Sequence, residues 1–517
     1  MSTLLRQGPL TRAESTGYSQ TSTHADVLAF IEALRTRGDA RLRVTDFGRT
    51  PEGRLLPLLI LSNHGCFTPE DAVNAGLPVV LVQCGIHAGE VEGKEAALML
   101  VRDLLDGRHG ALLDRITLLV APLFNADGND RIDPNNRKLE IEHFRGQIGP
   151  AGVGTRENAA GINLNRDYMR QQGAEMRLMQ SRVCQPWNPH LVIDCHTTNG
   201  SIHRFAMTFD IPHVPDSGRR EPIDYMRRRL LPAVQAAVKA HDGLDSFWYG
   251  NFLRDEGGEG MGWITYPHHP RFGGNYRGLT NRLDLLLETY SYLSFPERVR
   301  TTYGFLCESL KHVASHGDEI LGLLAACVTP PAEIAVTYRL ESFDNAPADI
   351  LTREPYTLSG APIEVRVPYI GRFIGERPVT RPLAYAVPPR VAEHLVRHGL
   401  DIDAPAGASL DAEIPVVRKR VVVGGRGILE ADSSAHLDVE FMRQRRALPD
   451  GWRLVRTAQQ RGAIAVYLCE AGSDDGLLAC ELIDAPEPGA EFPAWRIHGV
   501  IDARGQGSPI VARHRCR

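Results

Sequence analysis

Pro78-Val79-Val80-Leu81-Val82-Gln83-Cys84-Gly85-Ile86-His87-Ala88-Gly89-Glu90 is an apolar run that stops at two glycines, a histidine and a carboxylate. The run predicts a buried strand that ends in a polar loop. His87 and Glu90 stand three residues apart, a spacing that lets an imidazole nitrogen and a carboxylate oxygen reach one cation from a single short turn. Two ligands do not make a metal site, and alone the pair reads as a surface His and Glu in a strand-to-helix loop. A third ligand has to come from elsewhere in the chain.

On the N-terminal side, Thr23 caps a predicted helix with Asp26 three residues on, and Val27, Leu28, Ile31 and Leu34 follow at helical spacing. Arg43–Gly48 and Arg54–Leu61 are two strand-like runs split by the Pro- and Gly-containing turn Arg49–Gly53, which predicts a hairpin at a sheet edge. On the C-terminal side, Ala97, Leu98, Val101, Leu104 and Leu105 form an apolar stripe in an otherwise polar helix, and Ile116–Ala121 returns as a strand. Strand, helix, strand implies a parallel sheet.

Pro122 to Gly161 is loop-rich, and long irregular loops in compact domains are often functional. After Gly161-Ile162-Asn163-Leu164-Asn165-Arg166-Asp167, a second apolar run, Pro189–Thr198, again delivers a histidine, His196, near its C-terminal end. Ligands of open α/β sheets bind at that edge, so His87, Glu90 and His196 are expected to converge there. Two histidines and one carboxylate, with a fourth position left to water, make a catalytic zinc donor set.

Composition bounds the remaining possibilities. A chain of 517 residues exceeds one ordinary domain and predicts two or three, with ample apolar material for a core. A net charge of −5 offers no basic face for nucleic acid, and no block of like charges suggests a membrane contact. The first residues lack the apolar core of a secretory signal and no long apolar run follows, so a cytoplasmic location is expected. Nine cysteines without a Cys-x-x-Cys pair fit free buried thiols better than a disulfide framework, with Cys84 and Cys195 as core residues.

With these motifs in order, the chain resembles the zinc metallocarboxypeptidases of the carboxypeptidase A-like type over roughly its first 315 residues. The resemblance implies one Zn2+ per chain held by His87, Glu90 and His196. It implies a substrate-anchoring pair at Asn165-Arg166, an oxyanion arginine at Arg137 within Asn136-Arg137, and a general-base glutamate at Glu288 within Arg282–Tyr290. The residues support these roles on their own chemistry. Glu288 ends an apolar strand-like run, where an unpaired carboxylate is costly, so it is neutralised, paired or near a cation. Arginine binds carboxylates through two parallel hydrogen bonds and stays charged when partly desolvated, although either arginine could equally be a solvated loop ion pair.

The resemblance also implies a tyrosine upstream of the glutamate that caps the substrate carboxylate. Tyr266 and Tyr276 both lie in the loop Trp263–Tyr276, and spacing favours Tyr266. His268 and His269 in that loop raise a second metal, but adjacent histidines are expected to point in different directions. Asn163 departs from the pattern, standing where relatives often carry an aspartate that orients a zinc histidine; Asp194 is expected to supply that carboxylate. Arg271 and Arg277, beside the loop glycines, carry an expectation of preference for acidic terminal side chains, unless they face solvent or pair with Asp255, Glu256 or Glu259.

Packing helices are expected over Pro222–His241 and from Ser294-Phe295-Pro296-Glu297 through Val299, Tyr303, Leu306, Leu310 and Val313. At Thr329-Pro330-Pro331 the texture changes to strand-period alternation from Ile334 to Leu340. Ile363–Val367, Arg420–Val423 and Ala463–Leu468 read as further strands and Val391–His398 as a helix. The expected fold is therefore α/β: a mixed, largely parallel sheet flanked by helices, carboxypeptidase A-like (phosphorylase/hydrolase-like), over residues 1–328, followed by a β-rich C-terminal domain over 329–517. The expected activity is zinc-dependent hydrolysis of the C-terminal amide of a peptide-like substrate bearing a free carboxylate. The rivals are an N-acyl amino acid deacylase and an inactive scaffold that binds C-termini.

Overall fold

The computed structural model describes residues 8–254, 260–343, 346–404, 409–423, 434–501 and 507–508. Ten strands precede the change of texture: β1 Leu42–Arg49, β2 Leu55–Leu61, β3 Val79–Cys84, β4 Thr117–Ala121, β5 Leu191–Thr198, β6 Met207–Asp210, β7 Ser246–Trp248, β8 Asn251–Arg254, β9 Gly260–Ile264 and β10 Leu283–Tyr290. Eight of them form one sheet in the order β1-β2-β4-β3-β5-β10-β6-β7. The central strands β4, β3, β5 and β10 run parallel, while β1, β2 and β6 join antiparallel, so the sheet is mixed as expected. The predicted edge hairpin is β1–β2.

β3 and β5 are buried along their whole length, which is why both read as continuous apolar runs instead of alternating ones. Cys84 and Cys195 pair across them in the core. The eight cysteines among the described residues are all buried and free; Cys516 lies outside those residues.

The caps read from sequence are present. Thr23 and Asp26 exchange bonds in a capping box before the helix His24–Arg35, and Ser294 and Glu297 do so before Phe295–Ser315. The helix Glu92–Leu105 differs from its expectation of one apolar stripe, since its polar residues are buried too. The N-terminal segment wraps its far side: Glu95 accepts from Thr21 Oγ1 and Ser22 Oγ, each at 2.9 Å, and Lys94 Nζ donates to Ser22 O and Asn129 Oδ1. The opposite face lies so close to β5 that a Cβ at Gly93 would stand 2.5 Å from Cys195 Cβ. The Pro222–His241 helix is observed as Arg220–Tyr225 and Leu231–Asp242 joined by a π turn, Met226–Leu230. Pro232 has no N–H to give to the preceding turn, and the wider turn absorbs that loss.

Beyond Thr329, β11 Glu333–Ser342, β12 Ala348–Glu354, β13 Ala361–Val367 and β14 Tyr369–Thr380 open the β-rich part. β14 runs parallel to β9, so the sheet β11-β14-β9-β8 draws strands from both halves of the chain. A further sheet contains the long hairpin Ser409–Val423 with Ser434–Ala447. Val391–His398 is helical as expected, over Pro389–Arg397. Ala463–Leu468, read as a strand, is instead the helix Gly462–Cys469, buried on every face. Six consecutive apolar residues fit a buried strand and a buried helical turn equally well, and the surrounding core decides between them. Among the described residues no helix is long and apolar enough to cross a membrane.

Candidate functional site: a two-histidine, one-carboxylate cluster

β3 ends at Gly85, whose φ of +67° belongs to the left-handed region and turns the chain sharply into the loop that carries His87 and Glu90. β5 runs alongside β3 and brings His196 to the same edge. One donor atom from each of the three residues lies within 4.8 Å of the other two. His196 Nδ1 is 3.0 Å from Glu90 Oε2 and 3.2 Å from His87 Nδ1, and His87 Nδ1 is 3.2 Å from Glu90 Oε1. Three donors in a tetrahedral zinc shell, each at about 2.0–2.1 Å from the ion, stand about 3.3 Å apart. The two imidazole nitrogens cannot both present lone pairs to each other at this separation without repulsion, and a shared cation removes that conflict. The donor set fits zinc.

Each far nitrogen faces an oxygen, and that of His87 is hydrogen-bonded. His87 Nε2 lies 3.0 Å from Asn163 Oδ1, so Asn163 does for His87 what an aspartate does in the expected pattern. Asn163 Oδ1 also accepts from Asn165 N and thereby fixes the turn Leu164–Arg166. His196 Nε2 faces Asp194 Oδ1 at 3.4 Å, and Asp194 is anchored by Gln83 Nε2 and Arg277.

Electrostatics follow the packing. Burial pushes the His87 imidazolium pKa down to about 3, so the ring is neutral and its lone pair available. Burial pulls against charge on His196 as well, but Asp194 and Glu90 outweigh it and raise its pKa well above the usual value. Burial also opposes the Glu90 carboxylate, yet His87, Arg137 and His196 hold its pKa well below the usual carboxylate range.

Glu288 lies on β10 directly opposite His196 in the parallel pairing with β5. Its carboxyl faces the same cleft, and burial raises its pKa to about 8. The cleft encloses about 390 Å3 and is lined by His87, Glu90, Arg137, Asn165, Arg166 and Glu288, among others.

Arg137 donates to Glu90 Oε1, Gln147 Oε1 and Thr197 O at 2.8–3.0 Å. Asn165 Oδ1 is fixed by Gly273 N at 3.0 Å, which leaves its amide nitrogen as a donor. The Arg166 guanidinium lies 3.8 Å over the Phe272 ring. Tyr266 is at the cleft wall, against Tyr249 and His213. Tyr276 is not: it is buried, with its hydroxyl 2.8 Å from His398 Nδ1.

The pocket reading of Arg271 and Arg277 is overturned. Both are buried and committed to carboxylates, Arg271 to Asp475 and Arg277 to Asp284 and Asp194. None of these three partners is among Asp255, Glu256 and Glu259, which lie outside the described residues.

Two residues of the cleft were not foreseen. Arg156 NH1 stands 3.1 Å from His87 Nδ1 and 3.2 Å from Glu90 Oε1, and Tyr249 is half-buried in the same cleft as Glu288. The glycine-spaced loop before Gly161 carries Arg156 with no periodic signal, and only its charge among small residues marked it.

Residues 27–189 match the family described as zinc carboxypeptidase, a span that holds His87 and Glu90 and stops short of His196. Carboxypeptidase D from Drosophila melanogaster is 31% identical over 153 residues, 28% of this chain and 10% of that protein. The chain therefore spans about a tenth of the length of that curated relative. Among solved structures, a metallo-carboxypeptidase from Burkholderia cenocepacia aligns at 19% identity and TM-score 0.39, covering 56% of this chain and 68% of the other. A Pseudomonas aeruginosa metallo-carboxypeptidase solved with (2-guanidinoethylmercapto)succinic acid aligns at 18% identity and TM-score 0.38, covering 57% and 68%.

Proposed function

We propose that this chain is a zinc-dependent metallocarboxypeptidase that hydrolyses the C-terminal amide of peptides or peptide-like substrates, with Glu288 as general base. The observation that carries the reading is the convergence of His87, Glu90 and His196 at one sheet edge with the Glu288 carboxyl opposite His196 in the same cleft. The three converging side chains hold the ion, and when bound it supplies Lewis acidity toward a carbonyl oxygen and toward water.

The chain's own groups do the rest. Arg166 binds the terminal carboxylate, its planar fork held against the cleft wall by the Phe272 ring, and the Asn165 amide nitrogen donates a second bond. Tyr266, packed against the same Phe272 ring, caps that carboxylate. Arg137, tethered at Gln147 and Thr197, keeps a fixed positive charge beside the carbonyl where negative charge develops. Glu288 accepts a proton from the attacking water and hands it to the leaving nitrogen. Its raised pKa makes it a competent donor in that second step, while neighbouring cations favour the carboxylate needed for the first. Residues 1–328 carry this chemistry, and residues 329–517 back one wall of the cleft.

The test is to incubate zinc-loaded protein with a mixture of peptides and N-acyl amino acids and identify products by mass. Loss of single C-terminal residues supports the reading. Release of free amino acid from N-acyl amino acids alone would identify a deacylase instead, and no turnover of either would leave a binding scaffold.

A further inference from the structure

The loop that carries Tyr266 holds a second cluster of metal-ligand side chains, away from the cleft. His268 and His269 come from this loop and Asp474 from a segment 206 residues later, and one donor atom from each lies within 4.8 Å of the other two. All three are more than nine-tenths buried, at 8%, 8% and 6% exposure. The sequence expectation that adjacent histidines diverge fails here: the two rings stack, with centroids 4.5 Å apart and planes 26° apart, so they present themselves to the same side.

We propose that His268, His269 and Asp474 form a structural site for a zinc-like divalent transition ion, clasping the cleft loop to the C-terminal part of the chain. Two imidazoles and a carboxylate select such an ion over Ca2+ or Mg2+, which take oxygen donors.

Further observations favour an ion over a bare His–Asp pair. His268 Nε2 is 2.7 Å from Asp474 Oδ2, but His269 Nδ1 is buried with no hydrogen-bond partner among the described residues, a situation that costs stability if nothing fills it. Asp474 has its other oxygen oriented by the Tyr467 hydroxyl at 2.8 Å, the kind of supporting bond that ligating carboxylates carry. Tyr338 and Phe373 pack on His268 at 4.9 and 5.6 Å and shield it from solvent. Arg271, two residues on from His269, has its guanidinium paired with Asp475, which also accepts from the Arg271 backbone N–H.

The experiment counts metal on the full-length protein. Zinc-loaded wild type, His269→Gln, Asp474→Asn and His196→Ala are dialysed against a weak chelator, and zinc per chain is measured by mass spectrometry alongside circular dichroism. The expected result is one ion fewer in His269→Gln and in Asp474→Asn than in wild type, with one ion still present in His196→Ala. Folded His269→Gln and Asp474→Asn that hold as much zinc as wild type overturn the site. Should neither variant fold, His196→Ala decides: a retained ion supports the site, and none overturns it. Metal retained by His196→Ala but lost from His269→Gln would uphold this clasp even if the cleft proved to bind no zinc, so the two assignments fail separately.

Discussion

Replacing Glu288 by glutamine keeps the side chain's length and removes only its ability to take a proton. The carboxyl is fixed by the direct register of Glu288 with His196 across β10 and β5, so the amide occupies the same place. Glu288 is not one of the three donors that converge, and zinc content should stay at the wild-type value. General-base assistance is worth about 10^2- to 10^4-fold, so kcat should fall by that factor. At about 1.36 kcal/mol per decade this is a barrier increase of roughly 3–5 kcal/mol. The assay is release of the terminal residue from a peptide under saturating conditions, normalised to bound zinc. A variant with full zinc and kcat within about threefold of wild type refutes the assignment.

The same substitution has a signature in metal-free protein that is independent of turnover. Burial raises the Glu288 pKa from 4.5 to about 8, so between those values the folded state holds a proton that the unfolded state has lost. Stability must therefore fall as pH rises from 4.5 through 8. Glutamine mimics the protonated form, and the variant should lose that part of the slope. Chemical denaturation of metal-stripped protein at pH 5, 7 and 9 reads it, and parallel slopes for both proteins contradict burial as the cause.

Other groups of the site give sharper discrimination among roles. Arg166→Ala should raise KM for peptides with a free C-terminus by about 10- to 100-fold, as expected for a charged hydrogen-bonded contact, and leave C-terminally amidated peptides unaffected in relative terms. Tyr266→Phe should shift KM, whereas Tyr276→Phe should leave steady-state kinetics unchanged and lower Tm, since its hydroxyl bonds His398 and does not reach the cleft. Arg277→Met should destabilise the fold by about 3–5 kcal/mol in denaturant titration, because it strands Asp194 and Asp284 as buried charges. Substrates that differ only in a terminal Glu or Lys should not be separated by Arg271 or Arg277, and kcat/KM on such a pair measures whether either arginine acts.

The three donors were legible because strands buried on both faces announce themselves as apolar runs, and their ends fall at the sheet edge where ligands bind. Glu288 was legible for the same reason on β10. Asn163 was readable only as a departure; that it accepts from His87 Nε2 needed the turn geometry of Leu164–Arg166. Arg156 and Tyr249 sit in segments with no periodicity, so nothing tied them to the cleft. The helix Gly462–Cys469 was misread because a short apolar run buried on every side loses the alternation that separates strand from helix.

The misplacement of Arg271 and Arg277 has a more instructive cause. Read locally, both stand beside glycines just before Glu288 and invite a substrate role. Their partners, Asp475 and the pair Asp194 and Asp284, are distant in sequence or sit on buried strand positions that the local reading did not pair with them. The loop is thus bonded on one side to the sheet half of the chain, through Asp210 on Thr265, His213 on Tyr266 O and Asn165 on Gly273, and on its far side to the C-terminal half, through Asp475 on Arg271 and Asp474 on His268. Its root, β9, is paired with β14 from that same half. The donors and Glu288 belong to the eight-stranded sheet or the loops at its edge, and the wall carrying Tyr266 belongs to a loop fixed both from that half and from residues 369–475. The wall therefore has a second support that the donors and Glu288 do not share. Substitutions at Asp474 or Asp475 should act on substrate binding without touching the donor set, and no reading of the first 315 residues alone contains that connection.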